Sequence, residues 1–98
     1  MKKIFISQPM NGLTDDEIKM ERARIEKIAQ SKYGEVEIIN SFFENAPHDA
    51  RPLWFLGKSI ELLSTADVIY CAKGWNTARG CKIENLCAKE YGIEVVEE

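Results

Sequence analysis

Four short apolar runs along the chain predict four β-strands. The first, Lys3-Ile4-Phe5-Ile6-Ser7, is apolar nearly throughout, which is the pattern of a strand buried on both faces. The run at residues 36–39 is short and β-branched, and further runs cover residues 68–71 and 93–96. The first run is therefore expected to form a central strand.

Three amphipathic stretches lie between these runs and predict helices. The first covers residues 15–31 and begins where Thr14 and Glu17 have the spacing of a capping box. The second begins at Pro52, a residue that is acceptable in the first turn of a helix. Its apolar stripe consists of Leu53, Leu56, Ile60 and Leu63. The third follows Gly80.

Strand and helix alternate to the end of the chain, apart from a polar loop at residues 40–51. Parallel neighbouring strands need such crossover connections, so the alternation predicts a parallel sheet with helices on its faces. The chain has 98 residues, of which 45% are hydrophobic and 30% charged, and this fits one globular domain over residues 1–98 without room for a second core.

Charge and composition argue against two classes of partner. The formal net charge of −3 arises from residues of both signs spread along the chain, which argues against binding to a nucleic-acid polymer. No apolar run approaches the roughly 20 residues that span a bilayer, so no membrane span is expected. Cys71, Cys81 and Cys87 are an odd number without an export signal, which indicates reduced thiols in the cytoplasm.

Two loops are candidates for a binding site. One runs from Ser7 to Gly12 after the first strand, and the other runs from Lys73 to Gly80 after the third. In open α/β sheets ligands gather at the carboxyl ends of strands, so both loops are expected at that edge. Each loop leads into a helix, whose free N–H groups favour a phosphate or a sugar hydroxyl.

Glu84 is the candidate for chemistry, because it lies about one turn inside the last helix and can face the cleft between these loops. A carboxylate in that position can attack an anomeric carbon, displace a base and form a glycosyl-enzyme intermediate. The alternative is an ordinary first-turn acid or a surface residue.

Five other residues each have two interpretations. Trp75 can stack on a base or pack against a neighbouring helix or subunit. Arg79 can bind a phosphate or be solvated, and Asn76 is equally ambiguous. The only histidine, His48, is expected to be solvent-exposed rather than a general base. Cys81, at a helix N-terminus, is expected to have a depressed pKa, which opens an alternative phosphatase-like or redox site that the cysteine spacing disfavours.

The segment Ala66-Asp67-Val68-Ile69-Tyr70, the glycine-containing loop after it, and then Gly80, Glu84 and Ala88 resemble the nucleoside 2-deoxyribosyltransferase superfamily. Residues 4–10 resemble the first strand and the nucleoside-facing loop of that superfamily. The resemblance spans nearly the whole chain and is closest to a short bacterial and phage branch, which is DUF4406-like. The pattern shared with that branch is Trp75, Arg79-Gly80-Cys81 and Glu84.

The resemblance implies a flavodoxin-like or Rossmann-like three-layer sandwich with four or five mainly parallel strands, assembled as a homodimer or higher oligomer. It implies cleavage or transfer of the N-glycosidic bond of a nucleoside or nucleoside 5′-monophosphate, with Glu84 as nucleophile and without a metal or an organic cofactor. Gly80 would let the ligand approach the helix start, and Arg79 would meet a phosphate. The other substrate-binding residues would be Ser7, Gln8, Pro9, Met10, Asn11, Trp75 and Asn76.

Three departures from the superfamily pattern weaken the enzymatic interpretation. The position six residues before Glu84, often Asp or Ser in active members, is Ala78, and the helix position eight residues before Asp67, an Asp in active relatives, is Ser59. Neither residue can protonate a base. Active members also borrow a side chain from a neighbouring subunit's C-terminal tail, whereas this chain stops just after its last strand. The second hypothesis is therefore a binding module that senses or sequesters a nucleotide derivative without turnover.

Overall fold

A computed structural model describes residues 1–98. The strands are β1 (Lys2–Ser7), β2 (Val36–Ile38), β3 (Val68–Cys71) and β4 (Glu94–Glu97). The helices are α1 (Asp15–Tyr33), α2 (Pro52–Leu63) and α3 (Arg79–Glu90), and a single 3₁₀ turn covers Trp75–Thr77. No helix combines the length and the apolar composition that crossing a membrane requires.

The four strands form one sheet in the order β2-β1-β3-β4, and all neighbouring strands are parallel. This is the beginning of the strand order found in flavodoxin-like doubly wound sheets. The parallel sheet that the alternating pattern predicts is therefore confirmed, with four strands.

Helices cover both faces of the sheet. On one face α1 contributes Ile25 and Ala29 to a cluster with Ile4 and Val68. On the other face the buried residues of the second cluster come from β1, β3, α2, α3 and the position after β2; they are Phe5, Ile39, Leu63, Ile69, Cys71 and Ala88. Because consecutive residues of a strand point to opposite faces, the apolar residues of β1 are buried on both sides. The three-layer sandwich is confirmed.

The predicted capping box at the start of α1 is present. The Glu17 backbone N–H donates to Thr14 Oγ1 at 3.1 Å, and the Thr14 backbone N–H donates to Glu17 Oε1 at 2.9 Å. The helix extends two residues beyond the predicted end and stops at Gly34, whose φ of 80° is in the region that favours glycine.

The predicted apolar stripe of α2 is wrong for its first member. The side chain of Leu53 is 75% exposed, and Leu63 is the only apolar residue of the helix that is buried. Ser59 is the other buried residue of α2. Apolar residues occur on every side of this helix, so their spacing does not decide which side faces the sheet.

The two candidate loops meet at the point where the winding of the sheet reverses. β1 continues into α1 on one face, whereas its neighbour β3 continues into α3 on the other face. A Cβ atom on Gly74 would lie 3.5 Å from Pro9 Cγ, so the loop after β3 contacts the loop after β1. The sheet therefore has a topological switch point at the carboxyl ends of β1 and β3, which is where ligands bind in open α/β sheets.

Candidate functional site

Ser7 and Glu84 form a direct contact at this switch point. Ser7 is the last residue of β1, and Glu84 lies in the second turn of α3. The Ser7 hydroxyl donates a hydrogen bond of 2.6 Å to Glu84 Oε1. Both residues are buried, with exposed fractions of 1% for Ser7 and 8% for Glu84. Glu84 is therefore an inward-facing carboxylate rather than the surface acid of the alternative interpretation.

The surroundings of Glu84 contain hydroxyl groups and no cation. Burial raises the pKa of the Glu84 carboxyl, while hydrogen bonding from Ser7 and from Ser59 lowers it, and the net shift is upward. None of the six ion pairs of the structure involves Glu84. The carboxylate thus accepts a hydrogen bond from a neutral donor of β1 and lies near a hydroxyl of α2, in a position where its charge is incompletely solvated.

Ser59 contributes to this site in a way that the sequence did not indicate. From the sequence, Ser59 is notable only as a residue that cannot protonate a base. In the structure it is 9% exposed, and its hydroxyl lies close enough to Glu84 to lower the pKa of that carboxyl. A small polar residue within a strongly apolar helix is the signal that could have identified it, because buried hydroxyls need a partner.

The expectation of a depressed pKa at Cys81 is wrong. Cys81 is 4% exposed, and burial raises the pKa of its thiol to about 11, with the nearby Glu84 carboxylate adding to the rise and a hydrogen bond with Ser7 opposing it. Loss of solvent outweighs the effect of the helix N-terminus here. The three cysteines are free thiols, and Cys71 is buried in the core as expected.

Gln8 belongs to the opposite face of the sheet from Ser7. Its amide oxygen accepts a hydrogen bond of 2.9 Å from Arg22 Nη1, and its amide nitrogen donates to the Ile18 carbonyl at 3.4 Å. Arg22 also donates to the Ile39 carbonyl and to Ser41 Oγ, both at 3.0 Å. Gln8 therefore ties the end of β1 to α1, and its amide does not contact Glu84. Arg22 and Ser41 are residues of this edge that the sequence analysis did not name.

The remainder of the first loop is more open. Pro9 and Met10 are half-buried, and Asn11 is exposed. The Leu13 backbone N–H donates to the Met10 carbonyl at 3.1 Å, which closes the turn that contains Asn11. These residues border the switch point, and none of the side-chain hydrogen bonds of the structure involves Asn11.

The second loop places its candidate residues in different environments. Trp75 is half-buried and packs against the apolar cluster that includes Ala88, with Lys89 Nζ 5.8 Å from the centre of its ring. This agrees with the packing interpretation of Trp75. Asn76 and Arg79 are exposed, and Gly80 is half-buried with open space where a Cβ atom would lie.

An aromatic cluster lies at the start of α2, on the same side of the sheet as Glu84. The ring of Trp54 is 6.0 Å from Phe43 and 5.1 Å from Phe55, both edge-to-face, and Phe43 is 6.3 Å from Phe55. Phe55 lies one helical turn before Ser59, so the two residues share one side of α2. The aromatic cluster therefore lies one helical turn from Ser59 along α2.

Two open depressions of the surface lie on the α1 side of the sheet. One is lined by Glu21, Arg24, Lys73 and Glu98, and the other by residues of α1 from Met20 to Ile28. Neither includes Glu84. No group of three or more His, Cys, Asp or Glu side chains is placed to hold a metal ion. The site described above contains one buried carboxylate, that of Glu84, which is hydrogen-bonded to Ser7.

Comparison with known proteins identifies the family. The profile described as "Domain of unknown function (DUF4406)" matches residues 2–97, which is nearly the whole chain. The chain belongs to the DUF4406 family. The description of the family assigns no activity to it, and the match does not connect the chain to the nucleoside 2-deoxyribosyltransferase superfamily. A comparison with curated proteins found no match.

A solved structure supports the fold. The crystal structure of a conserved protein from Enterococcus faecalis V583 is similar, with a TM-score of 0.72 and 20% sequence identity. The similar region covers 99% of this chain and 62% of that chain. The chain therefore spans less than two thirds of the length of that protein, and the likeness concerns the α/β fold alone.

Proposed function

We propose that this DUF4406 protein cleaves or transfers the N-glycosidic bond of a nucleoside or nucleoside 5′-monophosphate, with Glu84 as the nucleophile. The observation that carries the proposal is the 2.6 Å contact between Ser7 and the buried Glu84 carboxylate at the carboxyl end of β1. A carboxylate is a nucleophile suited to an anomeric carbon, because the ester that it forms is later released by a second acceptor.

The proposed reaction has two steps. A Glu84 oxygen forms a bond to the anomeric carbon, the carbon–nitrogen bond breaks, and the departing base takes the electron pair and a proton from solvent. Water or a second base then attacks the same carbon, loses a proton to solvent and releases the Glu84 carboxylate. Ala78 and Ser59 offer no acidic proton, so this proposal predicts faster cleavage of nucleosides whose base leaves readily as an anion.

The hydroxyl groups around Glu84 have a positioning role in this proposal. Ser7 donates to one carboxylate oxygen and thereby limits rotation of the side chain. Because Ser7 and Ser59 lower the pKa of the carboxyl that burial raises, they favour the ionised nucleophile. Few other polar contacts solvate the carboxylate, and this leaves it reactive toward a developing positive charge on the sugar.

The ligand would lie over the switch point between the two loops. Pro9, Met10 and Asn11 would border the sugar and base, together with Asn76. Gly80 leaves space near the start of α3, where Arg79 and the free backbone N–H groups suit a 5′-phosphate. Trp75 would hold the second loop in place by packing against the apolar cluster. Gln8 would position the end of β1 without touching the ligand, because its amide is hydrogen-bonded to Arg22 of α1.

Product analysis tests the proposal. Purified protein is incubated with deoxynucleosides and their 5′-monophosphates, with and without a second base, and free or exchanged base is measured by chromatography. The proposal predicts base release by the natural protein and none by Glu84→Gln. Glu90→Gln changes an exposed glutamate of the same helix and is the matched control, expected to retain activity. Absence of base release from every substrate would refute the catalytic proposal.

The second candidate is a binding module for a nucleotide derivative. It is favoured by the small exposed fraction of Glu84 and by the absence of an acid at residues 59 and 78. Ligand-dependent thermal stabilisation without base release would support this function over the first. For both candidate functions we propose that the protein is cytoplasmic, where its three free thiols stay reduced. We also expect the chain to self-associate.

A further inference from the structure

Arg22 is a half-buried cation without an anionic partner. It lies in the first half of α1, and none of the six ion pairs of the structure involves it. Its guanidinium donates instead to three neutral oxygens, at distances of 2.9, 3.0 and 3.0 Å. Burial lowers the pKa of Arg22, and no carboxylate opposes this shift. An unpaired charge in such a position costs free energy, so a guanidinium here indicates a role that a neutral donor could not fill.

The three acceptors belong to the two chain segments that leave β1 and β2. One is the side chain of Gln8, in the first loop. The others are the carbonyl of Ile39, directly after β2, and Ser41 Oγ in the crossover loop, which covers residues 40–51 between β2 and α2. A planar guanidinium presents its donors in fixed directions, so it holds several acceptors in one geometry, whereas an ammonium group is a single point charge. Arg22 therefore joins the two loops.

Gln8 connects Arg22 to the part of the first loop that borders the site. Its side chain is buried, and its amide nitrogen donates to the Ile18 carbonyl at 3.4 Å while its amide oxygen accepts from Arg22. Residues 9–11, which border the switch point, follow it directly. The hydrogen bonds of Gln8 therefore fix the place from which these residues start.

The crossover loop reaches both helix layers above the carboxyl edge of the sheet. Ser41 and Glu44 tie it to α1, Ser41 through Arg22 and Glu44 through an ion pair of 3.1 Å with Lys19. Phe43 ties it to α2, where its ring lies 6.0 Å from that of Trp54. Because the strands are parallel, this loop leaves β2 at the same edge as the two loops that border the site.

We propose that Arg22 is a positioning residue that holds the first loop and the crossover loop in one arrangement around the ligand site. The identity of the ligand rests on the proposed function, whereas the arrangement of the loops can be measured without turnover. The hydrogen bonds of Arg22 do not include Ser7 or Glu84, and Arg22 is not among the groups that shift the pKa of Glu84. Its loss should therefore affect ligand binding more than the chemical step.

Steady-state kinetics of base release by Arg22→Met test this role, with deoxynucleoside 5′-monophosphates as substrates. Methionine keeps an unbranched apolar side chain that suits a helix and removes every donor. We expect KM to rise about tenfold, the size of a lost hydrogen bond to a charged group, and kcat to change less than about twofold. A residue that served stability alone would do the reverse, because a smaller folded fraction lowers the apparent kcat and leaves KM unchanged.

Amide hydrogen exchange measures the two loops without turnover. In the first loop the Leu13 N–H donates to the Met10 carbonyl at 3.1 Å, and after β2 the Ile39 N–H donates to the Ile4 carbonyl at 2.9 Å. Arg22→Met should speed the exchange of both amides about tenfold, because local opening becomes easier by about one charge-assisted hydrogen bond. The amides of α3 should keep their natural rates.

Two further variants separate charge and position. Arg22→Lys keeps the charge and one donor group, so it should restore part of the substrate affinity and of the exchange protection. Lys27→Met is the matched control, because Lys27 is an exposed cation of α1 outside the ion pairs. It should leave KM and the exchange of both loops unchanged.

Unchanged exchange of both loops in Arg22→Met overturns the proposal. A fall in kcat without a rise in KM overturns it as well, and so does an equal effect of Lys27→Met. A natural chain that releases no base refutes the proposed chemistry, while the exchange rates still decide whether Arg22 positions the loops.

Discussion

Ser7 and Glu84 are 77 residues apart in the chain and are joined by a hydrogen bond of 2.6 Å. The contact connects the end of the central strand β1 to the second turn of α3, across the switch point of the sheet. A short bond from a neutral hydroxyl to a buried carboxylate is stronger than a bond between two neutral groups. It stabilises the ionised form of Glu84 against the burial that disfavours it.

Ser7→Ala tests the role of this contact. Loss of the donor removes an influence that lowers the pKa of Glu84, so that pKa rises further. The acid limb of the pH–rate profile should move to higher pH, and base release at neutral pH should fall about tenfold, the loss expected for one hydrogen bond to a charged group. Carboxyl NMR titration of Glu84 measures the same shift without turnover.

Ser41→Ala is the control for this variant, because Ser41 is a buried serine on the α1 side of the sheet, bonded to Arg22. It should leave the titration of Glu84 unchanged. An unshifted Glu84 titration in Ser7→Ala would contradict the assigned role of Ser7.

Glu84→Gln should stabilise the fold at neutral pH. The pKa of Glu84 is higher in the folded chain than the ordinary value of 4.5, so the folded state binds this proton more tightly than the unfolded state. Stability therefore falls as the pH rises from about that value through the folded pKa. The amide carries no charge to bury, and the gain should be about 1 kcal/mol, or roughly 4–8 °C in Tm for a domain of this size.

Thermal unfolding of Glu84→Gln and the natural chain at pH 4 and pH 8 measures this difference. The two Tm values should converge at the acidic pH, where Glu84 is protonated in both states. A lower Tm for the variant at pH 8 would show that the charged form of Glu84 is stabilising. It would contradict the inference that burial of this charge destabilises the fold.

Much of the fold follows from local patterns. β1 is apolar at consecutive positions, as a strand covered on both faces must be, and the Thr14–Glu17 capping box marks the start of α1. The position of Glu84 could be predicted because the loops after β1 and β3 converge in any right-handed parallel arrangement. These features depend on residues close together in the chain or on general rules of topology.

Other features depend on which side a residue faces, and spacing alone did not decide that. Ser7 and Gln8 are consecutive in one candidate loop, yet the alternation of a strand sends Ser7 toward Glu84 and Gln8 toward Arg22. The hydroxyl of Ser59 could not be assigned to Glu84, because α2 is apolar on every side and offers no preferred face. The two-residue period of a strand would have indicated that Gln8 faces α1 rather than Glu84.

Glu98 should stabilise the chain through Arg24. Arg24 donates to both Glu98 carboxylate oxygens at 3.0 and 2.7 Å, and Tyr70 adds a hydroxyl bond of 2.7 Å. Hydrogen bonding to Arg24, followed by that to Tyr70, lowers the pKa of Glu98 to about 2. A lowered pKa contributes stability above the unfolded value, and this stability is lost as the pH falls toward about 2.

Glu98→Gln should therefore lower the stability at neutral pH by about 1 kcal/mol, a modest value because the pair is partly exposed to solvent. Urea unfolding at pH 7 and at pH 3 measures the effect, which should shrink at the acidic pH. Glu90→Gln, on the exposed surface of α3, is expected to change the stability at neither pH. Equal losses for the two variants at pH 7 would show that the Arg24 contact adds nothing.

Cys81 should react more slowly than Cys87, despite its place at the start of α3. Only the thiolate is nucleophilic, and burial raises the pKa of Cys81 to about 11, so its thiolate is scarce at pH 8. Cys87 is half-buried and serves as the internal reference. Alkylation with iodoacetamide at pH 8, followed by peptide mass analysis, should label Cys87 first, and Cys81 at least about tenfold more slowly.

Adding urea should equalise the two rates, because unfolding removes the burial. Faster labelling of Cys81 than of Cys87 in the folded chain would instead indicate an activated thiol and restore the phosphatase-like or redox alternative.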